Sequence, residues 1–115
     1  MARVLLVDDD ADALSLRKLI FEKDGHRVMV ATSAGRAREL FQTESPQSVI
    51  LDLRLPDAED GLALIRDFRA ASREVKIVVL CGWCADLEGR EESGLVDLVL
   101  SKPVRSEVLL RAVAS

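Results

Sequence analysis

The chain has 115 residues, 49% of them hydrophobic and only 3% aromatic, which predicts one domain built on one aliphatic core. Sixteen Lys and Arg face 20 Asp and Glu, a net charge of −4 with no basic stripe, and this argues against direct nucleic-acid binding. No apolar run has the length of a membrane span, and Met1-Ala2-Arg3 and a short apolar run lead straight into three aspartates, unlike a signal peptide; the expectation is a cytoplasmic domain with reduced thiols and no membrane partner.

Short apolar runs alternate with longer amphipathic stretches along the whole chain. The first run, Val4 to Val7, is followed by Asp8-Asp9-Asp10, where Asp10 can cap a helix reaching about Asp24, with Leu16, Leu19 and Ile20 on one face and Gly25 ending it. Val28 to Val30 forms a second run, and Ser33 can cap a second helix with Ala37, Leu40 and Phe41 inward. Val49 to Leu51 leads to Asp52, and a third helix runs from about Gly61 with Leu62, Ile65 and Phe68 at helical spacing. Val75 to Leu80 leads to Cys81-Gly82, and a shorter, more polar helix is expected around Cys84 to Glu92. The fifth run, Leu95 to Leu100, leads to Ser101-Lys102-Pro103 and a last helix from about Ser106 with Leu109, Leu110 and Val113. Short strands rich in Val, Ile and Leu, each followed by a helix, predict an α/β fold with a central parallel sheet and right-handed crossovers over residues 1–115.

Ligands of such sheets bind beyond the carboxyl ends of the strands. Asp8 and Asp9 follow the first strand, Asp52 ends the third, Cys81 the fourth, and Lys102 follows the fifth. Three carboxylates brought together repel one another unless a cation joins them, and magnesium takes oxygen ligands while keeping waters. A carboxylate, a magnesium ion and a lysine around one pocket are the parts for phosphoryl transfer to the carboxylate, with Asp52 as nucleophile. Each piece alone has a plainer explanation. An Asp triplet before a helix caps it and offsets its dipole, an Asp at a strand end is unremarkable, and Lys102-Pro103 is a turn into a helix. Their joint placement after strands one, three and five favours the chemical reading.

With these residues in view, the chain resembles the receiver domain of two-component response regulators. "VLLVDDD" is similar to the family's first strand with its acidic pair, at Asp8 and Asp9. "VILDLRLPDAEDG" is similar to its phosphoacceptor segment, at Asp52, and "LSKPV" to its lysine–proline motif, at Lys102. The resemblance implies a flavodoxin-like (βα)5 doubly wound sheet of order 2-1-3-4-5. It implies Mg2+ held by Asp8, Asp9, Asp52 and the backbone carbonyl of Arg54, and a cis bond before Pro103. It implies a phosphoryl group taken from a sensor histidine kinase or phosphotransfer protein, with the domain catalysing its own phosphorylation and dephosphorylation. It leaves open a C-terminal output domain outside this chain and a homodimer through the face of the fourth helix, fifth strand and fifth helix.

Three departures stand out. Cys81 replaces the hydroxyl residue that contacts the phosphoryl group, and a thiol is a weak donor. Val99 replaces the usual aromatic residue of the fifth strand. "PDAEDG" is one residue longer than the usual stretch before the glycine. Cys81-Gly82-Trp83-Cys84 also reads as a redox C-x-x-C, though it follows the fourth strand, whereas thioredoxin-like domains carry it after an early one. For Cys84 the plain reading is a small residue with no thiol function. Trp83 falls beside the expected pocket, as a shield against water or as an aromatic covering a helix end. Two cysteines and the distant His26 make no four-ligand zinc site. Three functions follow: a phosphoacceptor receiver, a phosphorylation-independent pseudo-receiver interaction module, and a thiol oxidoreductase.

Overall fold

The computed structural model describes residues 2–55 and 57–114; Met1, Ser115 and Pro56 of the "PDAEDG" stretch lie outside the described residues. Five strands, β1 (Arg3–Val7), β2 (Arg27–Ala31), β3 (Ser48–Asp52), β4 (Lys76–Cys81) and β5 (Leu98–Ser101), form one sheet of order β2-β1-β3-β4-β5. Every pairing is parallel, with Val7 opposite Leu51, Asp52 opposite Leu80 and Cys81 opposite Ser101. This register brings the carboxyl ends of β1, β3, β4 and β5 to one edge, and the strand order reverses between β1 and β3. The chain therefore has the parallel α/β sheet that its pattern predicts, in the flavodoxin-like order that the resemblance implies.

Alternation along the strands splits the core in two. Leu5, Val7, Val49, Leu51, Ile77 and Val79 pack under α2 (Ala34–Glu44) and α3 (Ala58–Ala71), where Phe41 stacks on Phe68 with ring centroids 4.3 Å apart. Val4, Leu6, Ile50, Val78 and Leu80 pack under α1 (Ala11–Lys23) and α4 (Ser106–Ala114). The helix boundaries follow local chemistry. Asp10 accepts the N–H groups of Asp12 and Ala13 at the start of α1, and Ser33 accepts that of Arg36 at the start of α2. α1 ends in a Schellman motif: Gly25, at φ +92°, donates to the Glu22 carbonyl and His26 to that of Phe21. No helix among the described residues is long and apolar enough to cross a membrane.

Four expectations need correction. Leu16 and Leu19 do not face the core; they are 61% and 63% exposed, and α1 buries Leu14 and Phe21 instead. The third helix starts at Ala58, one turn before Gly61. The expected helix around Cys84 to Glu92 is two short 3-10 turns, Cys84–Asp86 and Glu91–Leu95, interrupted at Gly89, whose φ of +72° is incompatible with a right-handed helix. Finally β5 begins only at Leu98, and with no helix in the preceding stretch Leu98 and Val99 are each 39% exposed, so this strand is not buried on both faces.

Candidate functional site

The acidic edge is built by β1 and β3. Asp8 leaves β1 nearly buried, and Asp52 closes β3 at 8% exposure, whereas Asp9 is open to solvent. Carboxylate oxygens of Asp8, Asp9 and Asp52 all lie within 4.8 Å of one another. Two buried like charges at that range need compensation. It comes from both sides. Arg17, on the second turn of α1, reaches Asp8 Oδ2 at 3.4 Å, and the Asp10 N–H donates to Asp8 Oδ1 at 3.0 Å. Lys102, just beyond β5, sets its Nζ 2.5 Å from Asp52 Oδ2. The Arg54 N–H donates to the other Asp52 oxygen at 3.4 Å.

Lys102 owes its position to the backbone. Its N–H donates to the Cys81 carbonyl at 2.9 Å, continuing the β4–β5 ladder past the strand end, and the Lys102–Pro103 bond is cis, as the family resemblance implies. Asp52 is held in the β3–β4 ladder opposite Leu80, and Gly61 packs against the backbone just after it. A Cβ on Gly61 would stand 1.9 Å from the Leu53 carbonyl oxygen, so α3 rests directly on the backbone that follows Asp52. Residue pattern marks this glycine as a helix start and as the end of the "PDAEDG" stretch; the Asp57 cap site puts Gly61 inside the helix, one turn in. The Asp57 N–H donates to Asp60 Oδ2 there at 3.3 Å.

A cleft of about 350 Å³ opens onto Asp52 between Arg54, Cys81, Trp83, Asp86 and Lys102. Trp83 stands at its rim, 64% exposed. Arg54 and Asp86 join across it, Nε to Oδ2, at 2.8 Å. That hydrogen bond, together with the Asp86 charge, raises the Arg54 pKa above its ordinary value. Sequence reasoning did not anticipate this pair, because 32 residues separate its members.

The cysteines differ from the expectation of reduced thiols. Cys81 and Cys84 are joined in a disulfide, with Cα atoms 5.2 Å apart, and no free cysteine remains. The bend at Gly82 and Trp83, between the end of β4 and the turn at Cys84–Asp86, sets the two residues within bridging range. In this form Cys81 has no S–H to offer a ligand. The structure thus gathers Asp8, Asp9, Asp52, Arg54, Cys81 and Lys102 at one edge, and alters the chemistry expected of Cys81.

The family model for the response regulator receiver domain matches residues 4–114. The chain is 36% identical over 113 residues to the virulence transcriptional regulatory protein PhoP of Salmonella typhimurium, covering 96% of this chain and 49% of PhoP. It is 31% identical over 116 residues to protein PilH of Pseudomonas aeruginosa, covering 98% of this chain and 95% of PilH. The chain thus spans about half the length of its PhoP relatives and nearly all of PilH. A CheY-like response regulator receiver domain from Methylobacillus flagellatus superposes with a TM-score of 0.82 at 31% identity, covering 98% of each chain.

Proposed function

The chain belongs to the response regulator receiver domain family, and from that footing we propose that Asp52 is its phosphoacceptor, taking a phosphoryl group from the phosphohistidine of a sensor kinase or phosphotransfer protein. The observation that carries this is the pairing of a nearly buried, cleft-facing carboxylate with a lysine from the opposite wall, 2.5 Å away. Asp52 supplies the attacking oxygen. Lys102 holds that carboxylate in place before the reaction. As charge builds on the transferred group, its Nζ passes to a phosphoryl oxygen. The Arg54 N–H donates to the second Asp52 oxygen and so helps to fix the carboxylate's orientation.

The donor set fits a magnesium ion. Three carboxylates converge, two of them withdrawn from water, and oxygen is the only ligand type they offer. Asp8, Asp9, Asp52 and the Arg54 carbonyl are the residues that would hold it. Bound there, the ion would neutralise charge on the phosphoryl oxygens. Switching of a partner or of an output domain would follow from the phosphorylated state.

Incubation with magnesium and a small phosphodonor, read by intact mass, tests the assignment. The parent should gain one phosphoryl group and Asp52→Asn none, because an amide is no nucleophile. Equal labelling of the two proteins would remove Asp52 from the role.

A further inference from the structure

The Cys81–Cys84 bridge has no part in the chemistry above, yet it is tied to Asp52 from two directions. On one side, the Cys81 carbonyl accepts the Lys102 N–H, and Lys102 Nζ sits on Asp52; the Cys84 sulfur lies 3.5 Å from Ser101 Oγ, next to that lysine. On the other side, the turn that begins at Cys84 carries Asp86, which grips Arg54, whose N–H donates to Asp52. Cys81 is buried among the apolar residues under α3, but Cys84 is half-buried and Trp83 between them is 64% exposed, so a thiol can reach the bridge from solvent. The bridge closes a loop of only two intervening residues at the mouth of the cleft.

We propose that Cys81 and Cys84 form a reversible thiol–disulfide modification site whose bridged form restrains the mouth of the Asp52 cleft, so that thiol redox state sets how well the phosphorylated form is stabilised. The inference rests on Asp52 being the phosphoacceptor. The co-reactant is a dithiol. Its thiolate attacks the Cys84 sulfur, breaking the Cys81–Cys84 bond, forming a mixed disulfide and releasing Cys81 as a thiolate that takes up a proton. The second thiol of the reductant then attacks the mixed disulfide, releasing Cys84 as a thiolate that is protonated in turn. The protein disulfide is reduced by two electrons, and the dithiol leaves as its own disulfide. The exchange is stoichiometric and regulatory, in contrast to the turnover of an oxidoreductase. Reduction restores the Cys81 thiol as a donor and frees the turn at Cys84–Asp86, and both effects favour closure on a phosphoryl group.

The test uses the full chain in both forms, distinguished by a mass difference of two hydrogens. Each is titrated with beryllofluoride and magnesium, and binding is followed by backbone amide shifts. The reduced form should bind roughly threefold or more tightly, the size of one weak hydrogen bond. Cys84→Ser should bind like the reduced form whether or not a disulfide-forming oxidant such as diamide has been added. Equal affinity in the two forms would overturn the proposal and leave the Asp52 assignment intact. So would a pair that stays as thiols under the oxidant. Failure of either form to bind, with no labelling at Asp52, would overturn the phosphoacceptor reading and this proposal with it.

Discussion

Lys102 and Asp52 meet because four strand ends share one edge, and that much is legible from residue types and their order. Charge placement after β1, β3 and β5 is a property of sequence position, so Asp8, Asp9, Asp52 and Lys102 could be named without coordinates. What could not be read is how closely Lys102 engages its partner, since the contact depends on tertiary placement, with the lysine backbone bonded to the Cys81 carbonyl and its Nζ on Asp52. Replacing Lys102 with alanine should slow labelling of Asp52 on the order of 10²-fold, the cost of one lost charge-stabilising donor, in a phosphodonor time course. Gly61 was visible as a glycine but not as a contact. Its Cα hydrogen faces the Leu53 carbonyl at a distance that leaves no room for a methyl group. Gly61→Ala should therefore cost about 1–3 kcal/mol, the usual range for overpacking, seen as a lower denaturant midpoint. It should also displace the Leu53–Arg54 backbone, so magnesium-dependent labelling should fall with it. A stability equal to the parent's would mean that α3 shifts freely, and that Gly61 does not hold the backbone after Asp52.

Where a cap stands at the edge of an apolar pattern, the helix end is legible; the cap of α3 at Asp57, ahead of its apolar residues, was not. Asp10, Ser33 and Gly25 mark the ends of α1 and α2 by local hydrogen bonds, which sequence displays directly. The inward face of α1 is set otherwise. Arg17 lies toward the sheet because its head group pairs with Asp8, and its turn carries Leu14 and Phe21 inward while Leu16 and Leu19 are left outside. Hydrophobic spacing alone misses such a polar anchor. Between β4 and β5, Gly89, at φ +72°, favours tight turns over a helix, and the second turn is fastened to α3 by side-chain charge. Glu92 is buried, and its carboxylate pairs with Arg66 and Arg90. A hydrogen bond from its own backbone, followed by Arg66 and Arg90, lowers its pKa below the ordinary 4.5 despite the opposing effect of burial. Since the folded state holds the proton less tightly than the unfolded state, this contribution is complete above the unfolded pKa and is lost as pH falls through the lowered folded value. Urea midpoints of the parent and Glu92→Gln should differ most near neutral pH and converge in acid. A difference independent of pH would mean that the carboxylate charge is not what holds the turn.

At the scale of the molecule, the fold and the acidic edge follow from pattern, whereas the switching apparatus departs from it. The disulfide was hidden because the spacing of Cys81 and Cys84 is compatible with thiols or a bridge, and the residue order alone does not decide between them. Val99 lies on an edge strand, 39% exposed, with no ring to turn inward, and bridged Cys81 has no donor to offer. A ligand shifts a two-state equilibrium only by its differential affinity for the two states. Beryllofluoride should accordingly move residues 84 to 105 less in the parent than in a Cys81→Thr, Val99→Tyr double variant, as read by amide shifts. Equal or larger movement in the parent would show that this domain switches through contacts other than these two.

Locating the phosphoryl group decides whether Asp52 is the phosphoacceptor of a magnesium-dependent site. After incubation with a small phosphodonor, borohydride reduction converts an acyl phosphate on aspartate to homoserine, which peptide mass spectrometry can place. Homoserine is expected at position 52, formed only when magnesium is present. Homoserine at position 8 or 9 instead, or labelling of Asp52 unaffected by removal of magnesium, would contradict that role.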